Sequence, residues 1–471
     1  MMKICRYLKS FKLFGALSSA RKILLVLVMV WISCGAGLVL AQEKNVSEEI
    51  LDILRDREQI TDQEYKELKQ KAEAEKKATK GEETDFRAYW KDGLRLDTRD
   101  KQIQLRIGGR IEADWAVYGP DDTIENDFQS PDIEGFGTEF RRARLFVSGS
   151  LYDAVEFKAQ YDFAGGDADF YDVFIGLKHI PVVGNVKVGH LKEPFSLNYQ
   201  TSDKYILFME RSLQNLFVPG YNMGIMFSNT ALDDHLTWRA GIFQEANSFG
   251  DSFNDFSDYN VTARVTYLPW YVDDGSRLLH LGLSYSSQFR SEGNTAVRYR
   301  TRPETHISDA YLVDTGAIPA DGVSLINPEI SVAIGSLSFQ GEYIHSFVDS
   351  NTADDPEFSG YYIEAGYFFT GEHRNYNRKN GYYSMVKPIQ NFHPAQNKWG
   401  GWQMALRYSS VDLNDKDISG GEESDFTVGL NWYLNPNVRF MLNYIYADME
   451  DRVGVADGSV NIYQGRFQIE F

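Results

Sequence analysis

Cysteine is nearly missing from this chain: there are two in 471 residues, and both, Cys5 and Cys34, lie close to its start. Beyond residue 34 no thiol exists to form a disulfide, ligate zinc or act as a nucleophile. Long apolar runs are missing too. After residue 41 none approaches the roughly 20 residues that a membrane-crossing helix needs, and mean hydropathy is −0.38, which excludes a helical membrane protein. Positive charge is in deficit, with 48 Lys and Arg against 67 Asp and Glu for a formal −19. Such acidity argues against nucleic acid as a partner, because its phosphate backbone would be repelled. Catalytic signatures are lacking as well. The eight histidines stand singly, with no HExxH pair, no GxSxG elbow and no phosphate loop. No enzyme, cofactor or metal site is therefore expected.

What the chain does hold is aromatic side chains, 28 Tyr and 30 Phe, too many for a disordered acidic polymer. Its one long apolar run, ILLVLVMVWISCGAGLVLA, follows Lys3, Arg6, Lys9, Lys12, Arg21 and Lys22 and ends in Val39-Leu40-Ala41. Basic start, apolar stretch and small end predict a signal peptide over 1–41 cut before Gln42; an uncleaved anchor helix is the alternative. Cleavage would remove six basic and no acidic residues and take the formal charge from −19 to −25. Residues 42–85 read as a periplasmic helical segment. Ile50, Ile53 and Leu54, then Tyr65 and Leu68 after an N-cap at Thr61, give two short helices. They serve either as a solvated spacer or as a small oligomerisation element, with a stripe too short for a coiled coil.

From about residue 102 the period changes from helical to two. In QIQLRIGGRIEADWAVY, Ile103, Leu105, Ile107, Gly109, Ile111, Ala113, Trp115 and Val117 share one side, while charged and polar residues take the other. The alternation returns in VEFKAQYDF, LTWRAGIF, VTARVTY, WQMALRY, VRFMLNYIY and YQGRFQIEF. Any half-buried strand alternates, in a soluble sandwich as in a membrane barrel turned inside out. The connections favour the barrel. Tight ones (149–153, 230–235, 335–336, 434–437) alternate with long polar ones (119–138, 191–221, 245–258, 290–326, 348–357, 412–423, 448–458), as when one rim faces the periplasm and the other the outside. The expected architecture for 86–471 is an all-β, 16-stranded antiparallel transmembrane β-barrel. One connection breaks the rule: 370–399 is long where a tight turn is due. The closing Phe471 on an alternating strand resembles the assembly signal of bacterial outer-membrane barrels.

The stretch GHLKEPFSLNYQTSDKYILFMERS at 189–212 resembles the hallmark of the phosphate-selective porin O and P family. FRRARLFVSG at 140–149, FSGYYIEAGYFFTGEHRNYN at 358–377 and GLNWYLNPNVRFMLNY at 429–444 follow in family order. The likeness covers roughly 100–471. Asn198 departs from the family's usual Glu, and Asn375 from its frequent Pro. The resemblance implies a homotrimeric outer-membrane porin in which the loop 191–221 folds inward to narrow the lumen and basic residues draw inorganic phosphate or other small anions. A general, non-selective porin and a barrel that mainly anchors the helical segment in the lipid remain open beside it.

Strand phase selects the candidate residues. Leu145 and Val147 facing lipid would put Arg142 and Arg144 on the lumen side and Arg141 near the external end of the same strand. Planar guanidinium forks match phosphate oxygens and stay charged at any working pH. The same phasing turns Lys158 inward, together with Arg106, Arg110, Arg239, Arg264, Arg407, Arg439 and Arg466. Lys192 and Arg211 belong to the family-like stretch. The candidate anion-binding set is thus Arg141, Arg142, Arg144, Lys158, Lys192 and Arg211. Inward acids, among them Glu112, Asp114, Glu156, Asp162 and Asp172, offer these cations an alternative duty in bracing the wall.

Overall fold

The computed structural model describes residues 53–55, 57, 59–71, 86–128, 133–250, 258–290, 296–351 and 354–471. The expected signal peptide lies outside them, as does most of 42–85. The chain divides into two compact units, Met1–Glu82 and Glu83–Phe471. In the first, a helix over 62–71 begins on a reciprocal cap. The Thr61 N–H donates to Glu64 Oε2 at 2.9 Å, and the Glu64 N–H donates to Thr61 Oγ1 at 3.3 Å.

The second unit is the barrel. Alternation along the chain produces β1 (Ile103–Pro120), β2 (Gly135–Leu151), β3 (Val155–Asp162), β4 (Asp169–Ile180), β5 (Gly184–Lys192), β6 (Tyr221–Ala231), β7 (Leu236–Gln244) and β8 (Tyr259–Val272). There follow β9 (Arg277–Phe289), β10 (Ile318–Ile334), β11 (Leu337–Ser350), β12 (Glu357–Phe368), β13 (Gly401–Asp415), β14 (Ile418–Asn435), β15 (Val438–Arg452) and β16 (Gly458–Glu470). Each pairs antiparallel with the next. β16 then closes on β1 from Val460↔Pro120 to Glu470↔Arg110, so sixteen strands leave no open edge around the ring.

Burial runs opposite to that of a soluble domain. Ile111, Leu145, Ile175 and Ile363 are 41%, 49%, 66% and 62% exposed, whereas Glu112, Arg407 and Arg466 are 0%, 2% and 0%. An apolar belt of this extent in water would drive aggregation, and in hydrocarbon it is the stable arrangement. The wall is uneven in height: β3, β5 and β7 have 8, 9 and 9 residues, against 18 in β1 and β14.

Three segments fill much of the lumen. The first, 193–220 between β5 and β6, carries the short helix Leu197–Gln200 and the turns Asp203–Tyr205 and Leu213–Phe217. Its Leu197, Leu207 and Phe208 are buried, each contributing roughly 1.5–3 kcal/mol of transfer energy. The wall thins to admit them. A Cβ at Gly366 or at Gly429 would stand 3.1 Å from Leu207 or from the Phe208 ring, closer than side chains normally sit. The second segment, 296–317, descends from the rim of the long loops and packs Leu312 and Val313 into an apolar cluster with Ile124, Val411, Leu413, Met449 and Val460. The third is the rule-breaking connection 369–400. It enters from the rim of the tight turns with a small hairpin, Tyr376–Asn377 against Tyr382–Tyr383.

One expectation fails locally. The long loop read at 412–423 is instead a two-residue turn at Lys416–Asp417, with Asp415↔Ile418 and Asn414↔Ser419 in register. β13 and β14 run on beyond the belt because Val411 and Leu413 have an apolar cluster to join; polar composition there marks emergence from lipid, not the end of pairing.

Candidate functional site

Strand phase and the inward segments together bound a lumen cavity of about 910 Å³. Its lower lining comes from the tight turns, through Lys178, Gly184, Asn229 and Asp234, and its upper limit is marked by Arg144, Lys192, Asp203 and Tyr221. Ten Lys or Arg side chains line it against four Asp or Glu, namely Glu156, Asp172, Asp203 and Asp234. In a protein of net charge −19, this is a local reversal of sign.

Much of that cationic charge is engaged. Above the cavity, Asp203 and Glu210 of the inward segment meet a cluster of guanidinium groups. Asp203 is 2.8 Å from Arg110, 3.1 Å from Arg142, 3.2 Å from Arg144 and 2.5 Å from Arg211. Glu210 is 2.9 Å from Arg141, 2.7 Å from Arg466 and 3.8 Å from Arg142. Burial pushes both carboxyls up, but the surrounding guanidiniums outweigh it, Arg211 and Arg142 foremost at Asp203 and Arg141 at Glu210, and hold both well below the usual carboxylate range. Further arginines grip the backbone of the segment. Arg439 donates to the carbonyls of Ile206 at 2.8 Å and Leu207 at 3.1 Å, Arg466 to that of Met209 at 2.6 Å, and Arg407 to that of Glu210 at 3.1 Å. From the opposite wall, Glu342 accepts the N–H groups of Leu197 at 3.0 Å and Asn198 at 2.7 Å. The periplasmic insertion is fastened in the same manner: Arg264 donates to the Gly381 carbonyl at 2.8 Å, Arg239 to the Asn380 carbonyl at 3.0 Å, and the Tyr376 hydroxyl lies 2.6 Å from His280 Nδ1.

The six candidates therefore occupy different positions. Arg142 is 3% exposed and sits among Glu112, Asp203 and Glu210, its Nη1 2.6 Å from Glu112. Arg141 reaches the lumen because β2 bulges there: Glu112 pairs with Arg142 and Ala113 with Phe140, so Arg141 is the extra residue and points to Glu210. Arg211 lies against Asp203 and donates to the Thr201 carbonyl at 2.9 Å. These three do not line the cavity, whereas Arg144, Lys158 and Lys192 do. Arg144 is also held by Asp162 at 2.6 Å and lies 3.4 Å over the Tyr171 ring. Lys158 pairs with Asp172 at 2.7 Å. Lys192 donates to the Tyr199 carbonyl at 2.7 Å and stands 4.4 Å over the Tyr199 ring. Among the described residues no carboxylate forms an ion pair with Arg106, Lys192, Arg239 or Lys379, all of which line the cavity.

Lys187, Lys204 and Lys379 also line it and were not among the candidates. Lys187 was within reach of the phasing argument, since exposed Val188 turns its neighbour inward. Lys204 lies in the family-like stretch whose inward fold the resemblance implies, so it too was within reach; Lys379 was not, because nothing in the sequence of 370–399 says that it folds into the barrel. No group of three or more His, Cys, Asp or Glu among the described residues could hold a metal ion.

Comparison with known proteins follows this geometry. The chain is 26% identical over 397 residues to an uncharacterized protein of Caulobacter vibrioides, covering 81% of this chain and 76% of that protein. It is 24% identical over 400 residues to Porin O of Pseudomonas aeruginosa, covering 76% and 86%. An anion-selective porin from Comamonas acidovorans aligns with a TM-score of 0.48 at 14% identity, over 78% of this chain and 100% of that one. Residues 105–471 match the model of the family described as phosphate-selective porin O and P, and to that family of outer-membrane porins the chain belongs.

Proposed function

We propose that this porin is anion-selective and that the solute path runs through the 910 Å³ cavity, with inorganic phosphate or another small oxyanion as its cargo. The supporting observation is the local excess of cations, above all Arg106, Arg239 and Lys379, which form no ion pair with a wall carboxylate. In this reading the arginines around Asp203 and Glu210 set the aperture by fixing the segment 193–220. The anion is handed between several weak contacts below it, near Arg144, Lys158 and Lys192. Conduction requires that division: each contact must be favourable enough to admit the ion and weak enough to release it. The protein works as a homotrimer in the outer membrane, delivered there by the N-terminal signal peptide.

Purified protein in a planar bilayer under a KCl gradient tests the proposal. The reversal potential should have the sign of chloride selectivity, and added phosphate should block the chloride current. Lys158→Gln with Lys192→Gln should shift the potential toward that of a non-selective pore and relieve the block. A non-selective or cation-selective wild type would favour the general-porin reading, and a barrel that passes no current would favour an anchoring role.

A further inference from the structure

Before β1 the chain forms a hairpin, Phe86–Trp90 against Leu94–Thr98, whose second strand pairs with β1 from Leu94↔Ile107 to Asp97↔Gln104. We propose that this hairpin is part of the membrane-embedded wall, with its outward face in the inner leaflet of the lipid bilayer. Register is the first argument. Residues directly opposite in an antiparallel pair share a face, so Leu94 and Leu96 lie on the side of Ile107 and Leu105, and Trp90, Ala88 and Phe86 continue that side outward. Ile107 belongs to the lipid-facing row of β1 and is 40% exposed; Trp90 and Phe86 are 61% and 52% exposed. The opposite face is polar. The Tyr89 hydroxyl donates to Asp97 at 2.7 Å, and Arg106, which lines the cavity, donates through Nε to the Asp92 carbonyl at 2.8 Å. The hairpin thus repeats the barrel's own division, apolar outside and polar inside. A Trp and a Phe at the periplasmic rim are the side chains that the lipid interface favours.

The second argument is the edge it covers. β16 ends beside the middle of β1: the Phe471 N–H donates to the Gly109 carbonyl at 3.0 Å, and the Gly109 N–H donates to the Phe471 carbonyl at 2.8 Å. Without the hairpin, the seam edge of β1 below Gly109 would face the inner leaflet with unpaired N–H and C=O groups, which hydrocarbon cannot satisfy. Pairing at Gln104–Ile107 removes that exposure.

The proposal rests on the barrel spanning a membrane, so the test carries a control for that. In a chain with Cys5 and Cys34 changed to serine, single cysteines at positions 86 to 90 are nitroxide-labelled in liposomes, and collisions with oxygen and with a neutral nickel chelate are compared. The expected result is a period of two: oxygen favoured at 86, 88 and 90, nickel favoured at 87 and 89. Nickel access at all five positions would overturn the proposal in favour of a periplasmic appendage. Exclusion of both reagents from 86, 88 and 90 would overturn it in favour of contact with a second copy. A label at Ile111→Cys, in the centre of the lipid-facing row, should favour oxygen whatever the hairpin does. Nickel access there would refute the membrane orientation of the barrel itself.

Discussion

Asp203 is one carboxylate among four arginines, which makes Asp203→Asn a sharp test of what holds the aperture. The substitution keeps the shape of the side chain and removes its charge, so Arg110, Arg142, Arg144 and Arg211, at 2.8, 3.1, 3.2 and 2.5 Å, lose their common counter-ion. Arg142 and Arg144 keep Glu112 and Asp162 at 2.6 Å each, but Arg211 keeps only backbone carbonyls and the face of the Tyr199 ring. Removing one partner of a buried ion pair costs about 3–5 kcal/mol. At 1.4 kcal/mol per factor of ten, that corresponds to roughly 100- to several-thousand-fold in the population of the undocked segment. Hydrogen exchange of the amides at 197–217, followed by mass spectrometry on the folded protein in detergent, reads this population directly. Protection should fall by at least about 100-fold there, while the strand amides of β9 to β11 keep theirs. If 197–217 exchanges as slowly in the variant as in wild type, the carboxylate–arginine cluster is not what fastens the segment, and the credit passes to the carbonyl contacts of Arg439, Arg466 and Arg407.

Three further outcomes follow from the same contacts. Arg142→Gln should loosen 197–217 in the exchange experiment, whereas Arg144→Gln, whose side chain lines the cavity, should also lower the anion preference read from the reversal potential. Acidification should leave the segment docked through the ordinary carboxylate range. Asp203 and Glu210 are depressed in the folded state, so their stabilisation is complete above the unfolded value near 4 and is lost only as pH falls through the much lower folded values; loss of protection already at pH 5 would contradict this. Deleting the tip of the periplasmic insertion, 377–381, should raise single-channel conductance, because its Asn380 and Lys379 line the cavity; an unchanged conductance would show that this part of the cavity does not limit flow.

The barrel was legible in the sequence because its determinants are local. Period two needs only neighbouring residues to be seen and marked the inward set Arg110, Arg144, Arg239, Arg264, Arg407, Arg439 and Arg466, while the alternation of tight and long connections gave the strand number and the reversed polarity. Which of these meet solute was not legible, since the deciding contacts are between segments far apart in the chain: Arg110 with Asp203, Arg466 with Asp114, Arg407 with Glu210. Arg141 shows a second limit. A single extra residue in β2 places two consecutive arginines inside, and simple alternation has no means of announcing it. The connection 369–400 was visible as an exception to the loop pattern, but its destination inside the lumen depends on Arg264, Arg239 and His280 waiting on other strands.

The two kinds of cation divide the work by their chemistry. Arg439, Arg466 and Arg407 each present several donors in one plane, and the structure spends them on pairs of oxygens that must not move: backbone carbonyls and the carboxylates Asp114 and Glu304. A guanidinium held that way carries charge but has few donors left for a passing ion. Lysine is a compact charge on a flexible stem, able to follow an ion and let it go, and Lys158, Lys187, Lys192, Lys204 and Lys379 are among the side chains that line the open space. The acidic surplus elsewhere does not cancel their field, because charges in salt water act over only about 8 Å and acids such as Asp354 and Asp355 sit in the external loop between β11 and β12. The number of inward arginines in this barrel therefore reflects mainly how firmly its inward segments are tied, and the cavity-lining cations without an ion-paired carboxylate, Arg106, Arg239 and Lys379 among them, are the better guide to what the channel attracts.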